Sequence, residues 1–311
     1  DWLNESKARS QNGLSRSSGV SSSYISQAIS GHFPVAATET VQKLLAIVED
    51  EQRDLAPGEV VHTTIYALVK AACITAKNIG KFSVVVGRPG VGKSTALKDY
   101  VANNPSTLLI EGNEFTTATV ILDKLVEQLK LSNRTGNTKA QKATKVIDVL
   151  KNSNRLIILD ETDKCNADAV DPLRSISDAT GCGVVLAGNV PLRDDIKAGA
   201  KRFDLISDRV VFWPQPIEAI TEEDAQKLLR PYLTEDNSVE DFETIAKYAH
   251  ELTDGSARKL IDALFNHAHQ MVENKGQKIS CNMLKVLGKQ WLGITSPPPL
   301  PVNTVVAIPN D

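Results

Sequence analysis

FSVVVGRPGVGKSTALKDYV, residues 82–101, passes through three local regimes in quick succession. FSVVV has the length and β-branched content of a buried strand, and TALKDYV reads as a helix. Between them GRPGVGKS, residues 87–94, surrounds one lysine with small and turn-forming residues. Glycines at a strand-to-helix turn let backbone approach a ligand closely. The spacing is that of G-x-x-x-x-G-K-[ST], in which Gly87, Gly90 and Gly92 curl the chain so that successive N–H groups point inward. The positive end of the following helix faces the same hollow. Arg88, Pro89, Val91 and Thr95 complete the loop. Lys93 is expected to reach the β- and γ-phosphates of ATP, and Ser94 to offer a hydroxyl to Mg²⁺.

A second signal lies in RLIILDE, residues 155–161, an apolar strand ending in two carboxylates. Buried acids are rare without a partner or a metal. Asp160 is therefore expected to orient the Mg²⁺ shell, and Glu161 to polarise an attacking water. TLLIE, residues 107–111, falls between the two motifs and implies at least one further strand between them in the sheet, which favours an ATPase with a catalytic glutamate over a simple nucleotide kinase.

The rest of the chain is organised around this pair. At 311 residues it is long enough for more than one domain. Its 41% hydrophobic and 23% charged content is ordinary for a globular protein. No apolar run approaches the roughly 20 residues of a membrane span. DWLNESKARS lacks the apolar region of a secretory signal and has no initiating Met, so a short leading piece is expected to be missing. Four scattered cysteines without a CxxC pair fit reduced thiols in a cytoplasm. A net charge of −3 gives no global pull toward nucleic acid, so any DNA contact must be local.

Five segments follow. Residues 1–55 form a small N-terminal unit, and 56–81 a linker and leading helix. Residues 82–216 alternate strand-length apolar runs with helices, the pattern of a parallel sheet covered on both faces. Residues 217–293 carry only helical periodicity, and 294–311 form a Pro-rich flexible tail. His267 and His269, two apart on a helix, are turned to different faces, which argues against a metal site.

These motifs resemble the AAA+ ATPases, and the resemblance implies further roles. Asn189, ending GVVLAGN, occupies the place of a residue that senses the γ-phosphate. RFDLISDRVVF is similar to the segment carrying a trans-acting arginine finger, with Arg209 the better match and Arg202 the reserve. GSARKL places Arg258 where a lid arginine turns back toward the phosphates.

Two segments point toward DNA. In NGLSRSSGVSSSYISQAIS, Leu14, Val20, Ile25 and Ile29 fall at the core positions of a helix-turn-helix that resembles the phage-repressor type. Its second helix offers Ser22, Ser23 and Gln27. The charge there is thin, so a protein-binding three-helix module is the competing reading. SNRTGNTKAQKATK, residues 132–145, contributes Arg134, Lys139, Lys142 and Lys145 with no acid among them, either a backbone-tracking loop or a solvated surface.

A helix-turn-helix, a compact AAA+ core and a short helical lid, in that order, resemble the Mu-B-like transposition ATPases from about residue 10 to about residue 293. The resemblance implies an ATPase that forms a filament or ring on double-stranded DNA without strong sequence preference, selects a transposition target and stimulates a transposase. A helicase loader or replication initiator, and a DNA-independent nucleotide switch, are the alternatives.

Overall fold

A computed structural model describes residues 23, 25, 26, 60–131, 138–166, 168–199 and 203–301. The chain divides into two units, Asp1–Ala56 and Pro57–Asp311. In the first, Ser23, Ile25 and Ser26 are helical, with Ile25 buried and the two serines exposed. The remainder of the expected helix-turn-helix, including Ser22 and Gln27, lies outside the described residues, as do Arg134 and Arg202.

The second unit is built on five parallel strands, β1 (Phe82–Val86), β2 (Thr107–Glu111), β3 (Leu156–Asp160), β4 (Gly183–Gly188) and β5 (Val210–Phe212), in the order β2-β3-β4-β1-β5. One strand separates the two motif strands, as expected, but it is β4, whereas TLLIE is the edge strand β2. Every residue of β1, β3 and β4 is buried, because helices cover both faces and leave no side for polar alternation.

On one face α1 (Thr64–Ile79) and α2 (Lys93–Asn103) pack with the C-terminal helices. On the other, α3 (Ala118–Gln128), α4 (Lys139–Leu150), α5 (Asp171–Thr180) and α6 (Val190–Lys197) bury Ile121, Leu125, Val146, Leu173 and Ile196 beneath β1, β3 and β4. The short α7 (Asp204–Ser207) leads into β5.

The C-terminal helices are α8 (Glu222–Leu229), α9 (Phe242–Leu252), a π-helix over Lys259–Phe265, α10 (Asn266–Lys275) and α11 (Cys281–Leu292). Asp224, 2% exposed, ties them to the core: its Oδ1 accepts from Thr64 N at 2.8 Å while its carboxylate closes a capping box with Thr221. The expected flexibility of residues 294–311 is corrected for their first part. Residues 294–301 run along the helices, Tyr248 Oη donates to Pro298 O at 3.3 Å, and Ile294 and Leu300 pack against the core. Proline has no N–H to satisfy, so such a strand can lie on a surface with few backbone partners.

Candidate active site

The parallel sheet sends the ends of β1, β3 and β4 to one edge, where the glycine loop after β1 meets the polar tips of β3 and β4. From β1 the chain enters the glycine loop. Gly90 has φ +86°, a region side chains disfavour, and a Cβ there would lie 2.7 Å from Ser256 Oγ. The loop therefore needs glycine both for its curl and for the close approach of the lid. Lys93, first residue of α2 and 8% exposed, folds back over the loop, its Nζ donating to Gly87 O at 2.7 Å and Arg88 O at 3.2 Å. Burial holds its amine below the usual lysine range, opposed by the carboxylates of Asp160, Glu161 and Asp163. A cation kept in place against a desolvation cost is poised for an anionic ligand.

From β3 comes Asp160, 3% exposed, whose Oδ1 accepts from Glu161 N at 2.8 Å. Burial pushes its carboxyl above the ordinary range, partly offset by a hydrogen bond with Ser94. Ser94 and Asp160 thus form a pair of hard oxygen donors, the type that suits Mg²⁺. Glu161 adopts a left-handed backbone, φ 54° and ψ 37°, which costs a non-glycine residue on the order of 1 kcal/mol or more. That turn swings its carboxylate to the cavity wall, where Oε2 pairs with Lys164 Nζ at 3.0 Å.

From β4 comes Asn189. Its backbone N donates to Asp163 Oδ1 at 3.0 Å and its Nδ2 to Asp163 Oδ2 at 2.9 Å. The lid supplies Arg258, whose backbone N donates to Gly90 O at 2.9 Å just ahead of the π-helix.

These groups surround a cavity of about 540 Å³, lined by Pro89–Thr95, Glu161, Lys164, Asn189 and Arg258. Of the loop residues expected to hold nucleotide, Gly87 and Arg88 stand back from it, the Arg88 guanidinium being turned to Asp254. The rest of the lining is mostly apolar, with Val60, Val61, Tyr66, Leu228, Pro231, Tyr232 and Ile261 beside Thr63 and Asp262. That part went unread in the sequence, because its residues come from segments far apart in the chain and carry no motif.

Arg209 lies elsewhere. Its carbonyl accepts from Phe82 N at 3.1 Å, which places it at the amino edge of the sheet, opposite the cavity. Its guanidinium makes a bidentate pair with Asp178, Nε to Oδ1 at 2.9 Å and Nη2 to Oδ2 at 3.0 Å, and this pair holds the Asp178 carboxyl below its usual range. The expected row of DNA-facing cations is also corrected at one position. Lys142 turns toward α3 and pairs with Asp123, its side chain 16% exposed, so its charge is already matched within the protein. Lys139, the first residue of α4, is exposed. His267 stacks on Trp291 and His269 pairs with Glu273, different neighbours, as their spacing implied. Among the described residues no helix is long and apolar enough to cross a membrane.

Residues 78–194 match the family model of the AAA domain, and the five-stranded parallel sheet with its glycine loop has the AAA+ architecture. Over this stretch the chain is similar to AAA domains, and its sheet and glycine loop have the fold of the P-loop AAA+ proteins. Within that fold, the chain resembles the Mu transposition B proteins. It is 29% identical over 119 residues to the ATP-dependent target DNA activator B of Escherichia phage Mu, covering 38% of each chain, with the same values for phage D108. It is 25% identical over 195 residues to the Mu-like prophage FluMu DNA transposition protein B of Haemophilus influenzae, covering 60% of this chain and 66% of that one. The match thus spans little more than a third of the two phage relatives. Two solved structures share the fold at 17% identity: the Aeropyrum pernix ORC2 protein, with a TM-score of 0.54 over 78% of this chain and 71% of that one, and CDC6P from Pyrobaculum aerophilum, with 0.56 over 78% and 70%.

Proposed function

We propose that this protein is an ATP-dependent DNA-binding ATPase that assembles on double-stranded DNA in the bacterial cytoplasm, marks it as a transposition target and stimulates a transposase. The observation that carries this reading is the convergence of Lys93, Glu161, Asn189 and Arg258 on one cavity beside the Ser94–Asp160 pair, in a chain similar to two target DNA activators.

In this reading ATP lies along the cavity with its phosphates under the loop amides and its base against the apolar lining. Lys93 and Arg258 neutralise the β- and γ-phosphates, Ser94 and Asp160 hold Mg²⁺, and Glu161 polarises the attacking water once Lys164 yields to the ligand. Bound Mg²⁺ supplies charge neutralisation at the phosphates. Arg209, at the opposite edge of the sheet, serves a neighbouring copy's nucleotide after leaving Asp178, which makes hydrolysis a property of the assembly. Arg134 and Lys139 track DNA phosphates, and the N-terminal unit adds a second DNA contact.

Electron microscopy with ATP and Mg²⁺, with and without a long duplex of random sequence, tests the reading. Filaments or rings that require both are expected, and the Glu161→Gln protein should form them and fail to release DNA. Assemblies indifferent to DNA would overturn the DNA-directed part, and co-purification with a helicase would favour a loader.

A further inference from the structure

Asp163 belongs to none of the roles assigned above, yet it joins two of the strand tips. It sits on the 3₁₀ turn Thr162–Lys164 directly after Glu161, a turn held by Thr162 Oγ1 donating to Leu159 O at 2.8 Å and Lys164 N donating to Glu161 O at 3.0 Å. From there both its carboxylate oxygens are taken by one residue of another strand, Asn189, through the backbone N at 3.0 Å and Nδ2 at 2.9 Å. The approach is close enough to dictate the preceding residue. A Cβ on Gly188 would lie 2.4 Å from Asp163 Oδ1, so no side chain fits there while the contact stands.

The chemistry of this contact is directional. An asparagine amide has an acceptor end and a donor end of nearly equal shape, and an ionised carboxylate only accepts. Asp163 therefore selects the orientation in which Nδ2 faces the turn. One Nδ2 hydrogen is used, and the second hydrogen and Oδ1 remain for the cavity that Asn189 lines with Ser94 and Glu161. Because Asp163 and Glu161 share one short turn, the amide and the carboxylate are set by the same piece of backbone.

We propose that Asp163 is a positioning residue, fixing the Asn189 amide so that it reads the terminal phosphate in register with Glu161. This rests on the ATPase reading given above. It adds a device by which the presence of a γ-phosphate is felt at the glutamate turn.

The test compares wild type with Asp163→Asn, Asp163→Ser, Asn189→Ala and the double variant Asp163→Asn/Asn189→Ala. Steady-state ATPase and calorimetric binding of ATP and ADP are measured on the full chain. Asp163→Asn keeps the shape but places a donor against Nδ2, which turns the amide over. Asp163→Ser removes both carboxylate acceptors and leaves a short hydroxyl that can rotate to accept rather than oppose Nδ2, and melting temperatures close to wild type confirm that either variant is folded. Each single variant should lower kcat about tenfold or more with KM within about twofold, and bring the ATP and ADP affinities together. The double variant should be no worse than Asn189→Ala, because both act through one group. Additive losses, a kcat within about twofold of wild type in both Asp163 variants, or unchanged discrimination between ATP and ADP would overturn the assignment. Absence of hydrolysis by the wild type would sink the ATPase reading alone, since the ATP-to-ADP affinity ratio and its loss in Asp163→Asn still decide the positioning role. A wild type that does not discriminate the two nucleotides would overturn it.

Discussion

Replacing Lys93 by Met separates what the lysine does for ATP from what it does for the fold. In the structure Nζ makes two hydrogen bonds to loop carbonyls, at 2.7 and 3.2 Å, and a bound nucleotide would take those donors for its phosphates. Hydrogen bonds to charged groups contribute about 1.5–3 kcal/mol each, so losing two weakens ATP by roughly 3–6 kcal/mol, about a hundredfold to ten-thousandfold. The assay is thermal unfolding with and without ATP. ATP at about 100 times Kd stabilises the wild type by ~2.7 kcal/mol, an upward shift of roughly 5–10 °C for a domain of this size. At the same concentration the variant should shift by less than about 1 °C. Without ATP it should be nearly as stable as wild type, because relief of a buried cation offsets the two lost bonds. The pH dependence carries a sign. The folded-state lysine lies below its unfolded value of 10.5, so the unfolded chain binds more protons between the two, and stability gained from this group rises with pH through that window. The wild-type-minus-variant difference should show that rise. An ATP shift in Lys93→Met equal to the wild type, or an unliganded protein several kcal/mol less stable, would refute the assignment.

Three other outcomes follow from the same geometry. Asp160→Asn should melt higher than wild type at neutral pH while losing Mg²⁺-dependent hydrolysis: the folded carboxyl lies above 3.8, so the folded state binds more protons as pH falls toward that value, and the ionised form at neutral pH carries the cost of burial. Calorimetry and ATPase assays on one preparation check both halves. Mixing Arg209→Ala protein, which keeps its cavity, with Lys93→Met protein, which keeps its arginine, should restore hydrolysis that neither shows alone; failure to complement would argue against a trans-acting Arg209. A chain ending at residue 293 forfeits the Tyr248–Pro298 bond and the cover of Leu300, and chemical denaturation should find it about 1–3 kcal/mol less stable.

What was legible in the chain was local. The glycine loop, the LDE strand end and Asn189 announce themselves because each directly follows a strand-like run, and predominantly apolar β1, β3 and β4 signal a sheet covered on both faces. What was not legible is pairing across long distances. That β4 separates β1 from β3 depends on crossovers rather than on composition. Asp163 looks like one more polar turn residue until Asn189 is folded against it, and Lys142 looks like a surface cation until Asp123 is beside it. The Pro-rich segment 294–301 reads as solvated because it lacks periodicity, yet its Ile294 and Leu300 pack against the core. The helix-turn-helix expected in the N-terminal unit remains a reading of core spacing around Ile25.

The strand order has a consequence for biosynthesis. β1 and β3 never touch; each is bonded to β4, which enters the chain only at residues 183–188. A nascent chain that has emerged through Asp160 therefore holds both motifs and no site, since the strand that sets their separation of about 10 Å is still to come. On the ATPase reading, nucleotide binding thus requires β4 in place, and nucleotide in the cell would favour chains that have it over shorter ones by mass action.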